Sequence, residues 1–255
     1  MKITGRQFDR FSKLIYHSCG ISLHDGKLSL LQARLAKRLR STGIDSVDEY
    51  LKLLESDEQE LINFLDVIST NHTYFFRENH HFECLCGDHL NIWCAASSSG
   101  EEPYLVAIHC LEKGFRPSIL ATDISTKVLQ IGERGIYPIE KAKSLPTHIL
   151  KRYFQKGHGQ WEGHVSVKDD IKRMVTFKRF NLLGDMPHDK TFDVIFCRNV
   201  LIYFDRTTRE QVINKLYNVL RCNGFLIIGG AESLTNIKHR YKYIRPSIYQ
   251  KGSQP

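Results

Sequence analysis

Asp123 closes the apolar run Ala121-Thr122-Asp123, and a carboxylate at the end of a buried strand can accept hydrogen bonds from both hydroxyls of a ribose. Arg198-Asn199 follows a second such run, Phe192 to Cys197. A guanidinium and an amide at that exit stand where open parallel sheets bind ligands, and both are costly to bury unpaired, so they are read as site residues rather than as a strand cap. Between these positions, Ile92-Trp93-Cys94-Ala95-Ala96 runs through Ser97-Ser98-Ser99 into Gly100-Glu101-Glu102-Pro103. Only Gly100 remains of a G-x-G-x-x-G loop, which favours a nucleoside without a pyrophosphate. Asn181-Leu182, ending another strand candidate, can bond a purine edge and cover its face, or be an ordinary turn asparagine. Arg77, in Thr73-Tyr74-Phe75-Phe76-Arg77-Glu78, can clamp a carboxylate of ligand or substrate, with neighbouring Glu78 as its alternative partner.

The elements that must hold these groups follow from periodicity. Apolar strand candidates at 92–96, 118–122, 175–180, 192–197 and 224–229 alternate with helical segments at 102–113, 125–133 and 207–220, the rhythm of a doubly wound α/β sheet. Tyr241 to Lys251 is expected to add one strand at the edge, where Pro246 is tolerated. Between Tyr137 and Val175 the rhythm breaks into a helix near Thr147 to Tyr153, a turn from Gly157 to Gly163, and His164-Val165-Ser166-Val167. This reads as a hairpin insertion at about 138–175, either functional or stabilising the sheet edge. Phe8, Phe11 and Ile15, then Leu28, Leu31, Leu35 and Leu39, then Leu51 and Leu54 keep helical spacing, so the chain opens with a small helical domain. The change of composition at 71–81 puts the boundary near residue 75, dividing the chain into 1–75 and 76–255.

Composition narrows the function classes. The chain has 255 residues, 42% of them hydrophobic, enough for a full α/β core with a small accessory domain. It carries a formal charge of +8, yet residues 1–76 hold equal numbers of basic and acidic side chains, so the excess belongs to the remainder and suits an acidic partner. Within the helical domain, Lys27, Arg34, Lys37 and Arg38 share a face beside the leucine stripe, as either a solvated surface or a docking surface. No apolar run is long enough to span a membrane, and the start lacks the apolar core of a signal peptide, so the expected compartment is the cytoplasm. Seven scattered cysteines suit a reduced compartment and free thiols. His80, His81, Cys84, Cys86 and His89 follow no standard zinc spacing, and no metal is expected. There is neither a G-x-S-x-G elbow nor a P-loop, which weighs against a hydrolase or an ATPase.

Four motifs in order carry a family resemblance: Ile68-Ser69-Thr70-Asn71 through Phe75-Phe76-Arg77-Glu78, Ala95-Ala96-Ser97-Ser98-Ser99-Gly100-Glu101-Glu102-Pro103-Tyr104, Ala121-Thr122-Asp123-Ile124, and Phe196-Cys197-Arg198-Asn199-Val200-Leu201-Ile202-Tyr203-Phe204. Together they resemble the chemotaxis receptor methyltransferase (CheR) family over essentially the whole chain. The resemblance implies an S-adenosylmethionine-dependent, Rossmann-like methyltransferase that esterifies glutamate side chains on the helical cytoplasmic part of chemoreceptors, with S-adenosylhomocysteine as product. It implies that Asn71, Thr73, Arg77, Glu102, Asp123, Asn181, Leu182, Arg198 and Asn199 contact the cofactor and that Tyr203 is an active-site tyrosine; Arg77 is also a candidate catalytic residue. The insertion resembles a subdomain that captures a short peptide tether at a receptor C-terminus. Gly229-Gly230-Ala231-Glu232-Ser233 departs from the more usual Gly-His-Ser-Glu form, so no role for a loop histidine carries over. A monomer without membrane insertion is expected. A nucleic-acid methyltransferase is the competing enzyme class, but Arg198-Asn199-Val200-Leu201 stands where a polar-Pro-Pro-aromatic clamp would be needed. A cofactor-binding adaptor without turnover is the competing non-enzyme class.

Overall fold

The computed structural model describes residues 2–23, 25–69, 71–186 and 190–253; Thr70 of the first motif lies outside them. Four helices come first: α1 (Gly5–Cys19), α2 (Leu28–Thr42), α3 (Val47–Ser56) and α4 (Glu58–Ile68). Their ends are encoded locally. Thr4 and Gln7 form a reciprocal capping box on α1, Ser46 and Asp57 cap α3 and α4, and Gly20 and Gly43 end α1 and α2 in left-handed conformation. Most of the expected apolar stripe is the core here, with Phe11, Ile15, Leu31, Leu35 and Leu51 almost fully buried beside Tyr50 and Phe64, but Leu28, the first residue of α2, is 36% exposed.

Of the four cations singled out on and just before α2, two work inside this domain. Arg38 grips Glu60, which also accepts a 2.6 Å hydrogen bond from the Tyr50 hydroxyl, and Arg34 donates to the carbonyls of Ile68 and Ser69 at the end of α4. A cation at a helix C-terminus satisfies carbonyls that have no partner within the helix. Lys37 is exposed, and the Nζ of Lys27 lies 5.2 Å from the centre of the Tyr203 ring.

The second part of the chain runs β1 (His89–Ala95), α5 (Glu101–Glu112), β2 (Arg116–Asp123), α6 (Thr126–Arg134), β3 (Ile136–Pro138), α7 (Ile139–Ala142), α8 (Thr147–Tyr153), β4 (Phe154–Lys156), β5 (His164–Val167), α9 (Asp169–Lys172), β6 (Val175–Arg179), β7 (Phe192–Cys197), α10 (Arg206–Val219), β8 (Leu220–Ile228), β9 (Lys242–Arg245) and β10 (Ile248–Gln250). Seven strands form one sheet in the order β6-β2-β1-β7-β8-β10-β9, with the first five parallel. The central strands β1 and β7 are buried on both faces, which is why they read as continuous apolar runs rather than alternating ones. Strand order reverses between β1 and β7, and the crevice beyond their carboxyl ends is the place such sheets offer a ligand.

Two expectations are corrected in detail. The C-terminal stretch is a hairpin, not one edge strand: β10 lies between β8 and β9, and Pro246 sits in the turn with Ser247 at φ 65°. Proline lacks the N–H that a paired strand must donate, so it occupies the turn. The insertion holds the expected hairpin of β4 and β5, but a third strand, β3, pairs with β5 as well. Tyr137 of β3 is fully buried and its hydroxyl donates to the Ser99 carbonyl at 2.7 Å, which fastens the insertion to the loop after β1.

Gly100 opens α5 at φ 90°, and a Cβ there would stand 2.9 Å from the Cα of Gly132 and 3.0 Å from the Tyr137 hydroxyl oxygen. Gly100→Ala is therefore expected to destabilise the fold by about 2–4 kcal/mol, through backbone strain plus overpacking, read as a lower urea midpoint with an unchanged slope.

Candidate functional site

A cleft with about 1010 Å³ of empty space, part of it open to solvent, lies beyond the carboxyl ends of β1 and β7. Asn71, Thr73, Arg77, Glu102, Asp123, Asn181, Leu182, Arg198, Asn199 and Tyr203 all line it. Ten positions spread along the chain thus converge on one cavity, at the switch point of the sheet.

The floor is the turn after β1. Ala96 and Ser98 take positive φ, 67° and 49°, which turns the backbone tightly, and the Ser97 N–H donates to the Thr122 carbonyl at 2.7 Å. Asp123, at the end of β2, is nearly fully buried; its carboxylate accepts the Ser98 N–H at 2.9 Å and the Ser125 N–H at 3.0 Å. Burial pushes the Asp123 carboxyl above the usual carboxylate range, against the lowering effect of those amides. Each oxygen keeps a further lone pair, as a pair of ribose hydroxyls requires. The hydroxyl oxygens of Ser97 and Ser98 and the Nε of Arg198 are buried with no hydrogen-bond partner among the described residues, and all three residues line the cleft. Polar groups at the cleft without a protein partner are ones that water or a polar ligand can satisfy. Apolar walls from Ile124, Phe180 and Leu182 complete a surface suited to an aromatic base.

Arg198 is the electrostatic centre of the wall. Its guanidinium donates to Glu102 at 2.7 Å, to Glu78 at 3.1 Å and to the Arg77 carbonyl. Burial raises the Glu78 carboxyl, but the Gly230 N–H and the Arg198 charge outweigh it and hold the group below its ordinary range. Arg198 therefore ties the segment before β1, helix α5 and the end of β7 into one frame. Arg77 does not pair with Glu78. Its Nη1 donates to the His72 carbonyl at 2.8 Å, and its guanidinium lies 6.0 Å from the centre of the Tyr74 ring. Asn181 is held at both ends of its amide, donating to the Ser18 carbonyl at 2.7 Å and accepting from Leu183 N–H at 3.1 Å, so it joins the cleft to α1. The Nδ2 of Asn71 donates to the Ser69 hydroxyl at 3.0 Å.

Sequence reading missed the roof. Cys19 and Ile21, at the end of α1, line the cleft, Ile21 bridges to Phe204, and Ser22 N–H donates to the Tyr203 carbonyl at 2.9 Å. Asp66 of α4 accepts from Thr126 N–H and its hydroxyl, capping α6, while the Tyr16 hydroxyl donates to Asp205 at 2.9 Å. These links are between distant segments and leave no periodic trace; the one local hint was Gly20, which ends α1 and frees Ile21 to turn inward.

Comparison with known proteins matches two family models to successive parts of the chain, meeting at residues 69–71. Residues 6–69 match the family described as "CheR methyltransferase, all-alpha domain", and residues 71–249 match "CheR methyltransferase, SAM binding domain". The chain is 38% identical to the chemotaxis protein methyltransferase of Escherichia coli, over 98% of this chain and 92% of that protein. It is 37% identical to that of Borreliella burgdorferi, over 99% of this chain and 96% of that protein. Identity to chemotaxis protein methyltransferase 2 of Pseudomonas aeruginosa is 35%, over 96% of this chain and 93% of that protein. The orphaned serine hydroxyls, the buried Asp123 and the apolar slot fit the cofactor that the larger domain binds. With its helical first domain and its S-adenosylmethionine-binding sheet domain, the chain belongs to the CheR methyltransferase family.

Proposed function

We propose that the protein esterifies glutamate side chains on the helical cytoplasmic part of chemoreceptors, adjusting chemotactic adaptation, with Asn71, Thr73, Arg77, Glu102, Asp123, Asn181, Leu182, Arg198 and Asn199 around the cofactor and Tyr203 and Arg77 beside the acceptor. The observation that carries this reading is the single cleft in which a buried acceptor for ribose, Asp123, shares walls with a tyrosine and an arginine. When bound, S-adenosylmethionine supplies an electrophilic methyl group on a sulfonium and becomes the thioether S-adenosylhomocysteine.

A glutamate side chain has an ordinary pKa of ~4.3 and is already an anion at neutral pH, so no residue has to act as a base. The protein's task is alignment, which can contribute up to ~7–11 kcal/mol. Anion and cation neutralise each other as the new C–O bond forms, and water would favour the separated charges, so exclusion of solvent helps. Cys19, Ile21, Val200 and Phe204 supply apolar lining near Tyr203 for that purpose. The Tyr203 hydroxyl orients the acceptor carboxylate. The remaining Arg77 donors hold a carboxylate, either the acceptor's or the one on the methionyl arm.

Arg77→Ala is expected to lower kcat/KM roughly 10- to 150-fold, the equivalent of one charge-assisted hydrogen bond. Calorimetry on the same variant assigns the contact: unchanged cofactor affinity places Arg77 on the acceptor, and a parallel loss places it on the methionyl arm. The reaction itself is tested by incubating the protein with methyl-labelled S-adenosylmethionine and a receptor cytoplasmic fragment. Label released as methanol by mild base supports a glutamate ester; label that is stable to base, or absent, sinks the reading.

Receptor approach is attributed to Lys27 and Lys37 of the basic helix, since Arg34 and Arg38 hold α4. The loop from Gly157 to Gly163, with Trp161 exposed, is the candidate holder of a receptor C-terminal peptide tether. Among the described residues, no helix is long and apolar enough to cross a membrane. A monomer acting in the cytoplasm, with no nucleic-acid partner, completes the proposal.

A further inference from the structure

Glu232 does not line the cleft, yet its carboxylate gathers backbone amides from two loops at the cleft's acceptor end. Its Oε2 accepts Gly229 N–H at 2.7 Å and Asn199 N–H at 2.8 Å, and its Oε1 accepts Ile202 N–H at 3.2 Å. Asn199 is a non-glycine residue in left-handed conformation, φ 59°, two residues past β7, and Leu201–Tyr203 is a 3-10 turn with no side-chain cap of its own. A short turn whose amides point the same way is a weak anion cradle, and here the chain fills that cradle with its own carboxylate. The loop carrying Glu232 is in turn closed by its own N–H on the Gly229 carbonyl at 2.9 Å, and the Ser247 hydroxyl donates to that same carbonyl at 3.3 Å. Rigidity thus passes from the C-terminal hairpin through Glu232 into the turn that ends in Tyr203.

We infer that Glu232 is a positioning residue for methyl transfer: it sets the 199–203 turn, and through it Asn199 and the Tyr203 hydroxyl, without touching cofactor or acceptor. The inference rests on the methyl-transfer reading for its catalytic consequence, but its structural half stands alone. Removing the carboxylate leaves the amides of Gly229, Asn199 and Ile202 without their acceptor and lets a strained Asn199 relax. Glutamine keeps one oxygen able to accept from Gly229 and Asn199, but turns an NH2 donor toward the Ile202 N–H, so it restores only part of the carboxylate's hold.

The test uses the full chain as wild type, E232A and E232Q, each with two readouts. Amide hydrogen exchange over 199–203 is expected to accelerate in E232A and much less in E232Q, with the strands of the central sheet unchanged. In single turnover at saturating S-adenosylmethionine and receptor fragment, E232A is expected to lose roughly 10- to 100-fold in rate, as misplacement of a reacting group does. Cofactor Kd should rise by less than the rate falls, since Asn199 is only one of the residues proposed around the cofactor, and E232Q should recover part of the rate, since one of its two acceptor oxygens remains. Unchanged exchange at 199–203 overturns the inference, as does faster exchange with an unaltered rate. A rate loss matched by an equal loss of cofactor affinity also overturns it, because Glu232 would then support the cofactor pocket generally. If wild type transfers no methyl group, the proposed reaction fails, and the exchange comparison by itself still decides whether Glu232 holds the turn.

Discussion

Arg198→Ala is expected to destabilise the protein by about 3–5 kcal/mol, the largest single effect of any change in the cleft, because it strips the shared partner from two carboxylates inside the fold. Arg198 is 6% exposed and reaches Glu102 at 2.7 Å and Glu78 at 3.1 Å. Arg198 is almost wholly out of water and the Glu102 and Glu78 side chains are partly so, 13% and 24% exposed, a cost their mutual attraction offsets only while all three are present. Against a domain stability of ~5–15 kcal/mol, a loss of this size leaves a marginal fold. Urea unfolding followed by circular dichroism checks it, and a midpoint within error of wild type sinks the claim. Adding Glu78→Gln and Glu102→Gln to Arg198→Met is expected to recover part of the loss, since no buried charge is then left alone. The sign of the pH effect follows from Glu78, whose folded-state carboxyl is held below its ordinary range despite burial. That contribution is fully present above the ordinary carboxylate pKa and disappears as pH falls through the lowered one, so acid should narrow the gap between wild type and the Arg198 variant.

The second large effect concerns affinity. Asp123→Ala is expected to weaken S-adenosylmethionine binding roughly 10- to 150-fold, corresponding to ~1.5–3 kcal/mol for hydrogen bonds to a buried charge. The carboxylate already orients Ser98 and Ser125 through their amides, so the variant also loosens the floor on which a ribose would rest. Burial raises this carboxyl's pKa, and protonation removes acceptor capacity. Cofactor affinity should therefore fall as pH is lowered through that raised range, and Asp123→Asn should flatten the dependence. Calorimetric titration across pH measures both; an unchanged Kd in Asp123→Ala would remove the ribose assignment.

Much of the site was readable because its residues stand at strand ends, and strand ends are marked by local pattern. Asp123 and Arg198-Asn199 each terminate a short apolar run, and such runs alternating with helical segments read as strands of a parallel sheet. The helical first domain was equally legible, its stripe of Phe8, Phe11 and Ile15, and of Leu31, Leu35 and Leu39 in α2, being a direct image of one buried face.

What the amino-acid order determined, then, was which segments form the main helices and inner strands and which side chains stand at the strand ends, since these depend on spacing within about a dozen residues. Pairing between distant segments was decided only in three dimensions. Arg198 appeared as a ligand contact, and folding gave it Glu78 and Glu102 as partners; Arg34 and Arg38 appeared as surface, and folding turned them onto α4. Cys19 and Ile21 became a roof, and Glu232 became the acceptor for amides more than a strand away. A cation's neighbours and a carboxylate's donors are set by which loops the sheet brings together, and no local pattern records that.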